Sequence, residues 1–163
     1  MEIRQATPAD WPRIYPFWRE IVEAGETYAF PEGLGPDEAR SWWMESPPGQ
    51  TVVAVDGEGA VLGSAKMGPN RPGRGAHIAT ASFMVDPRFA GRGIGRALGE
   101  YVIEWAGARG YVGIQFNAVV ETNEPAMHLW RALGFDVLAT VPGGFQHHLF
   151  GRVGLNILYR KIQ

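Results

Sequence analysis

The sequence predicts one α/β domain built round a single mixed sheet. Three observations lead there. The 163 residues suit one domain with a real core. Hairpin signals stand beside β-α-β units, so parallel and antiparallel neighbours share the sheet. No repeat or low-complexity tract divides the chain, and residues 1–163 read as one unit.

The elements follow in order. Glu2 to Ala6 is a short strand. Thr7-Pro8-Ala9-Asp10 starts a helix, with Thr as N-cap, Pro at the first position and an acid three residues on. Trp11, Ile14, Tyr15, Trp18, Ile21 and Val22 keep the helical period, Pro16 is expected to kink it, and Gly25 ends it. Thr27 to Gly35 is a loop carrying Tyr28 and Phe30, and a second helix runs from near Pro36 to before Pro47. Thr51 to Val55 and Ala60 to Met67 form a hairpin about Asp56-Gly57-Glu58-Gly59. Gly68 to Gly75 is a loop and His77 to Val85 a strand. A glycine-rich turn then opens a helix with apolar residues at Ile94, Leu98, Tyr101, Val102 and Trp105, closed by Gly110. Tyr111 to Val119 is a strand, and Asn123 caps a helix that Gly134 ends. Phe135 to Val141 is a strand, Pro142-Gly143-Gly144 a turn, and Gly154 to Lys161 the last strand.

Composition narrows the function. With no Cys, disulfides, thiolate catalysis and zinc–thiolate sites are excluded, and the four His lack metal-ligand spacing, so no metal is expected. The net charge of −2 gives no case for a nucleic-acid or membrane partner. No apolar run approaches the roughly 18 residues that span a bilayer, and no apolar leader segment opens the chain; a cytoplasmic protein is expected.

The most informative segment is Val85-Asp86-Pro87-Arg88-Phe89-Ala90-Gly91-Arg92-Gly93-Ile94-Gly95-Arg96-Ala97-Leu98. Alternating glycines let backbone N–H groups converge in a nest, the helix N-terminus adds partial positive charge, and Arg92 and Arg96 add full charges. Such a turn suits a phosphate or pyrophosphate; the alternative is a turn that only packs helix on strand. It is no Walker loop, because no Lys follows, and no dinucleotide fingerprint, because Arg96 or Leu98 falls where the last glycine is required.

Ala90-Gly91-Arg92-Gly93-Ile94-Gly95 resembles the acyl-CoA loop Q/R-x-x-G-x-G/A of the GNAT acetyltransferases, with Ala90 in place of the usual Gln or Arg. Asn123-Glu124-Pro125-Ala126-Met127-His128-Leu129-Trp130-Arg131-Ala132-Leu133-Gly134-Phe135 resembles a second pattern of that family, N-x-x-A-x-x-L-Y-x-x-x-G-F. The resemblance implies a GNAT-like domain: a twisted, mostly antiparallel sheet of about seven strands, helices on both faces and a splayed central strand pair. It implies acetyl-CoA as co-substrate, with pantetheine along Phe83, Met84 and Val85, pyrophosphate on Arg92 to Ala97, and Asn123, Ala126 and Trp130 beside the arm. For Asn123 a plain N-cap is compatible with that role. Trp130 stands where many relatives carry a Tyr that protonates the leaving thiolate. An indole N–H is no usable acid, and core packing is the other reading.

The resemblance also implies direct attack by an amine, with the Val85 N–H polarising the thioester carbonyl. Thr80 falls where a relative carries a Glu base, and Thr80 with Ser82 could hold a water wire. Asn117, expected in a buried strand, is either a structural amide or a substrate contact. The stretch Gly113 to Asn123 resembles fungal acetyltransferases of proline analogues, and Gly144 to Gly151 resembles a loop of phosphinothricin-type enzymes. His147 and His148 are bases, substrate contacts or plain polar surface. Tyr28 and Phe30 either wall the substrate pocket or cover the core edge. The expected partner is a small amino-acid-like amine. Dimers are common in the family, so a homodimer is admitted. The rivals are a protein amine as acceptor, a non-catalytic acyl-CoA sensor and a nucleotide-binding module.

Overall fold

The computed structural model describes residues 1–163. Seven strands form one sheet: β1 (Glu2–Gln5), β2 (Gln50–Val55), β3 (Val61–Pro69), β4 (Ile78–Val85), β5 (Gly113–Val120), β6 (Asp136–His147) and β7 (Gly151–Lys161), in the spatial order β1-β2-β3-β4-β5-β7-β6. Four helices, α1 (Trp11–Ala24), α2 (Pro36–Trp43), α3 (Ile94–Ala108) and α4 (Glu124–Ala132), lie between them in sequence. Only β4 and β5 run parallel; every other neighbouring pair is antiparallel. No helix is long and apolar enough to cross a membrane.

Helices cover both faces because the central strands are apolar on both. In β2, Val52 and Ala54 enter a core of 19 buried residues that includes Ile94, Leu98, Val102, Met127 and Trp130 from α3 and α4. Val53 and Val55 of the same strand enter a core of 11 residues with Trp11, Ile14, Phe17, Trp18, Ala39 and Trp43 from α1 and α2. The strand period of two thus divides β2 between two helix layers.

Helix α1 is preceded by a 3-10 turn over Pro8–Asp10. Buried Asp10 accepts from the Thr7 N–H at 2.7 Å and from both Arg4 terminal nitrogens at 2.8 and 2.9 Å. The helix runs on through Pro16 and ends at Gly25, whose φ of 66° is left-handed.

Two expectations from sequence need correction. Pro142-Gly143-Gly144 is not a turn: β6 continues through it to His147, with a register shift against β7 between Val141 and Phe145. A Cβ on Gly144 would lie 3.2–3.3 Å from the Leu155 side chain, so the glycine admits a close cross-strand approach rather than a reversal. The reversal comes at His148–Phe150, and β7 accordingly begins at Gly151, not Gly154. The His148 N–H donates to Gly25 O at 2.9 Å, tying this hairpin end to the end of α1.

Candidate active site

Strands β4 and β5 pair only at Ile78 with Gly113 and Ala79 with Ile114. Beyond that point β4 stays with β3 as far as Val85, while β5 follows β7. The sheet therefore splits, leaving one backbone edge of β4 without a strand partner. The Asp86 N–H donates to Leu62 O on β3, so by alternation the odd-numbered amides, Phe83 and Val85 among them, face the split. At Phe83 a side chain fills the gap. The Tyr28 hydroxyl accepts from the Phe83 N–H at 2.8 Å and donates to its carbonyl at 2.5 Å. Loss of solvation on burial pushes the Tyr28 phenol above its usual pKa, against the opposing pull of the Phe83 hydrogen bond.

At the end of β4 the chain enters a 3-10 turn over Pro87–Phe89, held by Asp86, whose carboxylate accepts from the Arg88 N–H at 3.0 Å and pairs with its guanidinium at 2.6 Å. Gly91 and Gly93 follow, each with φ 76°, a conformation that strains any other residue. Gly93 is the N-cap of α3 and has no side chain to cap it, which leaves the first-turn amides open. Ala90, Gly91, Arg92 and Gly93 are exposed, Ile94 is buried beneath them, and the Arg92 guanidinium lies 5.3 Å from the Phe89 ring centroid. Arg96 is paired with Glu100 at 2.9 Å.

On the α1/α2 side of β4 lies a cavity of about 680 Å³, lined among others by Glu45, Lys66, Asn70, Thr80, Ser82 and Asn117. Even-numbered β4 residues face this side, as buried Met84 shows by joining the α1/α2 core; Phe83 and Val85 pack on the α3/α4 core. The open helix turn and the cavity thus lie at opposite faces of one split strand pair.

The family model of the acetyltransferase (GNAT) family matches residues 11–135. The chain belongs to the acetyltransferase (GNAT) family. It is similar to a GCN5-related N-acetyltransferase of known structure from Kribbella flavida, with 56% identity, a TM-score of 0.95 and coverage of 98% of this chain and 96% of that one. A GNAT superfamily phosphinothricin acetyltransferase from Sinorhizobium meliloti, solved in complex with AcCoA, shares 25% identity at a TM-score of 0.87, covering 98% and 87%. In sequence, the N-acetyltransferase aca1 of Schizosaccharomyces pombe is 30% identical over 128 residues, which are 70% of this chain but only 61% of that protein's length.

Within this GNAT frame the residues singled out from sequence fall into three groups. The glycine turn, Ala90 to Ala97, adjoins the β4 edge at Val85, whereas at Phe83, expected from sequence to pair with pantetheine, both backbone groups are taken by Tyr28. Asn123 is an N-cap, its Oδ1 accepting from the Ala126 N–H at 3.3 Å. Trp130 is 6% exposed and packs on Phe83, Phe116 and Phe135, with ring centroids at 4.6, 4.8 and 5.9 Å. Phe83 and Phe116 belong to β4 and β5, so these rings floor the split from the α3/α4 side.

Thr80 and Asn117 meet at the cavity. Asn117 is not buried as expected: β5 bulges between Phe116 and Val119, which leaves Asn117 exposed and unpaired with β7. Its Nδ2 donates to Asn70 Oδ1 at 2.6 Å and its Oδ1 accepts from Gln115 Nε2 at 3.0 Å, bridging β5 to the loop after β3.

His147 stands apart from this cavity. It is 5% exposed, stacks on Phe150 at 4.5 Å, and its Nδ1 accepts from the Leu149 and Phe150 N–H groups at 3.0 and 3.3 Å. That nitrogen organises the β6–β7 turn. Phe30 stacks on Tyr28 with centroids 5.3 Å apart and on Trp18 at 5.6 Å, so both loop aromatics join the α1/α2 layer while Tyr28 also reaches the split. Glu45, Lys66 and Asn70 were not singled out from sequence. Lys66 alone carried a signal, as the one charge in the apolar strand β3. Glu45 and Asn70 reach the cavity from loops, which no local pattern marks.

Proposed function

We propose that this chain is an acetyl-CoA-dependent N-acetyltransferase whose acceptor is the amino group of a small, amino-acid-like molecule. One observation carries the reading: a single strand, β4, has an edge without a strand partner beside an uncapped helix N-terminus, and on its other side walls a cavity that Lys66, Thr80, Ser82 and Asn117 line.

The residues fit the donor. The open amides at the start of α3, with Arg92 beside them, suit a pyrophosphate. Past Phe83 the edge of β4 offers an extended partner for the amides of pantetheine, and Asn123, whose Oδ1 caps α4, contributes its Nδ2 to the same arm. With Tyr28 holding Phe83, the Val85 N–H is the next odd-numbered amide along the edge and polarises the thioester carbonyl. The acceptor enters from the cavity. Its nitrogen lone pair forms the C–N bond, the C–S bond breaks, and the thiolate leaves. The amine proton passes to water held by Thr80 and Ser82. Asn117, fixed by Gln115 and Asn70, orients the acceptor or that water. Trp130 supplies no acid, so solvent protonates the thiolate.

The test is CoA thiol release from acetyl-CoA over a panel of amino acids and analogues, with Asn117→Ala alongside. Release with one acceptor class, reduced about 10- to 100-fold in kcat/KM by the substitution, is expected if one or two hydrogen bonds to the acceptor are lost. No release with any small amine, despite acetyl-CoA binding, overturns the reading in favour of a protein acceptor or a sensor.

A further inference from the structure

Lys66 is an unusual occupant of its strand. Its neighbours in β3 are buried, and it sits opposite Ser82 of β4 in register, on the cavity face. Its side chain is 21% exposed. The ammonium donates to Trp42 O at 2.8 Å, lies 3.4 Å from Glu45 Oε1, and stands 5.5 and 6.0 Å from the ring centroids of Phe30 and Trp43. An ammonium has three donors. Two are used here, and Lys66 lines the cavity.

The internal partners do not account for so well-held a charge. Glu45 is 39% exposed and its pairing is long, which makes the pair worth little to stability. Fixing a four-carbon side chain costs rotamer entropy, and a strand position between buried neighbours takes part of its hydration. The same position holds one strong donor still, over a cavity that Thr80, Ser82 and Asn117 also line. The other cation at the cavity is not held in this way. Arg71 is exposed and turns its Nη1 to Asn70 O of its own loop at 3.0 Å.

We propose that Lys66 binds the carboxylate of the acceptor, so that the substrate class is amino acids and analogues with a free carboxyl group. The proposal rests on the small-molecule acetyltransferase reading above. A carboxylate on the third ammonium donor makes a charge-assisted hydrogen bond without displacing Trp42 O. Glu45, 3.4 Å from the ammonium, leaves the Lys66 charge only partly neutralised, so it stays available to a carboxylate. Ser82, directly opposite Lys66, adjoins Phe83 at the split, which turns the amino end toward the acyl group.

The full-length protein is assayed with acetyl-CoA and each amino acid accepted in the panel, against its methyl ester and its primary amide. Wild type is expected to prefer the free acid by about 10- to 100-fold in kcat/KM. Lys66→Met is expected to raise KM for the acid by the same factor, while the ester's kcat/KM and the KM for acetyl-CoA change less than twofold. Lys66→Arg should recover part of the acid preference, and the acid-to-ester ratio of wild type needs no variant. Equal turnover of acid and ester by wild type overturns this proposal alone, as does an equal rise in KM for both in Lys66→Met. Absence of turnover with every small amine overturns it together with the reading beneath it.

Discussion

Replacing Tyr28 with Phe removes one oxygen and leaves the ring stack on Phe30 in place. That oxygen serves both backbone polar groups of Phe83, accepting from its N–H at 2.8 Å and donating to its carbonyl at 2.5 Å. Each buried backbone group left without a partner costs about 1–3 kcal/mol. Phe83 is only half-buried, so the lower end applies to each, and the pair comes to about 2 kcal/mol. In a domain of this size 1 kcal/mol corresponds to about 2–4 °C, so the melting temperature should fall by about 4–8 °C. Thermal melts by circular dichroism measure it. Because burial holds the phenol above its ordinary pKa, the hydroxyl stays protonated through the neutral range, and the drop should be the same at about pH 6 and about pH 8. The shift produced by saturating acetyl-CoA should equal that of wild type, since Val85 rather than Phe83 receives the carbonyl on the proposed reading. A fall under about 1 °C would refute the claim that Tyr28 is the partner of the split strand. A markedly larger acetyl-CoA shift in the variant would move the carbonyl to Phe83.

Two further outcomes are expected. Arg4 and the Thr7 amide hold the Asp10 carboxyl down at about 2, against the cost of its burial. A folded pKa below the unfolded value stabilises the fold above that unfolded value, near 4, and the effect is lost as pH falls toward 2. After a discount for the exposed Arg4 guanidinium, Asp10→Asn should therefore cost roughly 1–2 kcal/mol at neutral pH and close to nothing near pH 2. Urea melts of both proteins across that range check the sign. Gly93→Ala places a Cβ at φ 76°, with open space around it, so the penalty is backbone strain of roughly 1 kcal/mol rather than a clash. The KM for acetyl-CoA should rise several-fold and the KM for the acceptor should not, as read by initial-rate kinetics.

Much of the fold was legible because local chemistry and the final structure agree. The glycines at 91 and 93 are needed for their backbone angles, and the helix they open has its apolar stripe where the period places it. Element order followed from such signals. What failed to show was set by register. Pro142-Gly143-Gly144 has the composition of a turn, and only pairing with β7 makes it a bulge. Asn117 sits in an apolar run, and only a bulge two residues long brings it to the surface. The contacts that define the candidate site join distant positions: Tyr28 with Phe83, Asn70 with Asn117, Lys66 with Glu45. Each needs the sheet in place before the partners meet. His147 shows the reverse case, a residue with catalytic chemistry whose accepting nitrogen is taken by two backbone amides.

The alternation of β4 has a consequence for how such a protein can diverge. Its odd positions are committed to a closely packed aromatic floor, where Phe83 meets Phe116 and Trp130, and a change there disturbs the larger core. Its even positions Thr80 and Ser82 border open volume and carry no comparable packing duty. Mutation can therefore sample new side chains at 80 and 82 with little loss of stability, while drift at 83 and 85 is suppressed. On the proposed reading, the acyl donor is the inherited constant of this architecture and the acceptor its adjustable variable.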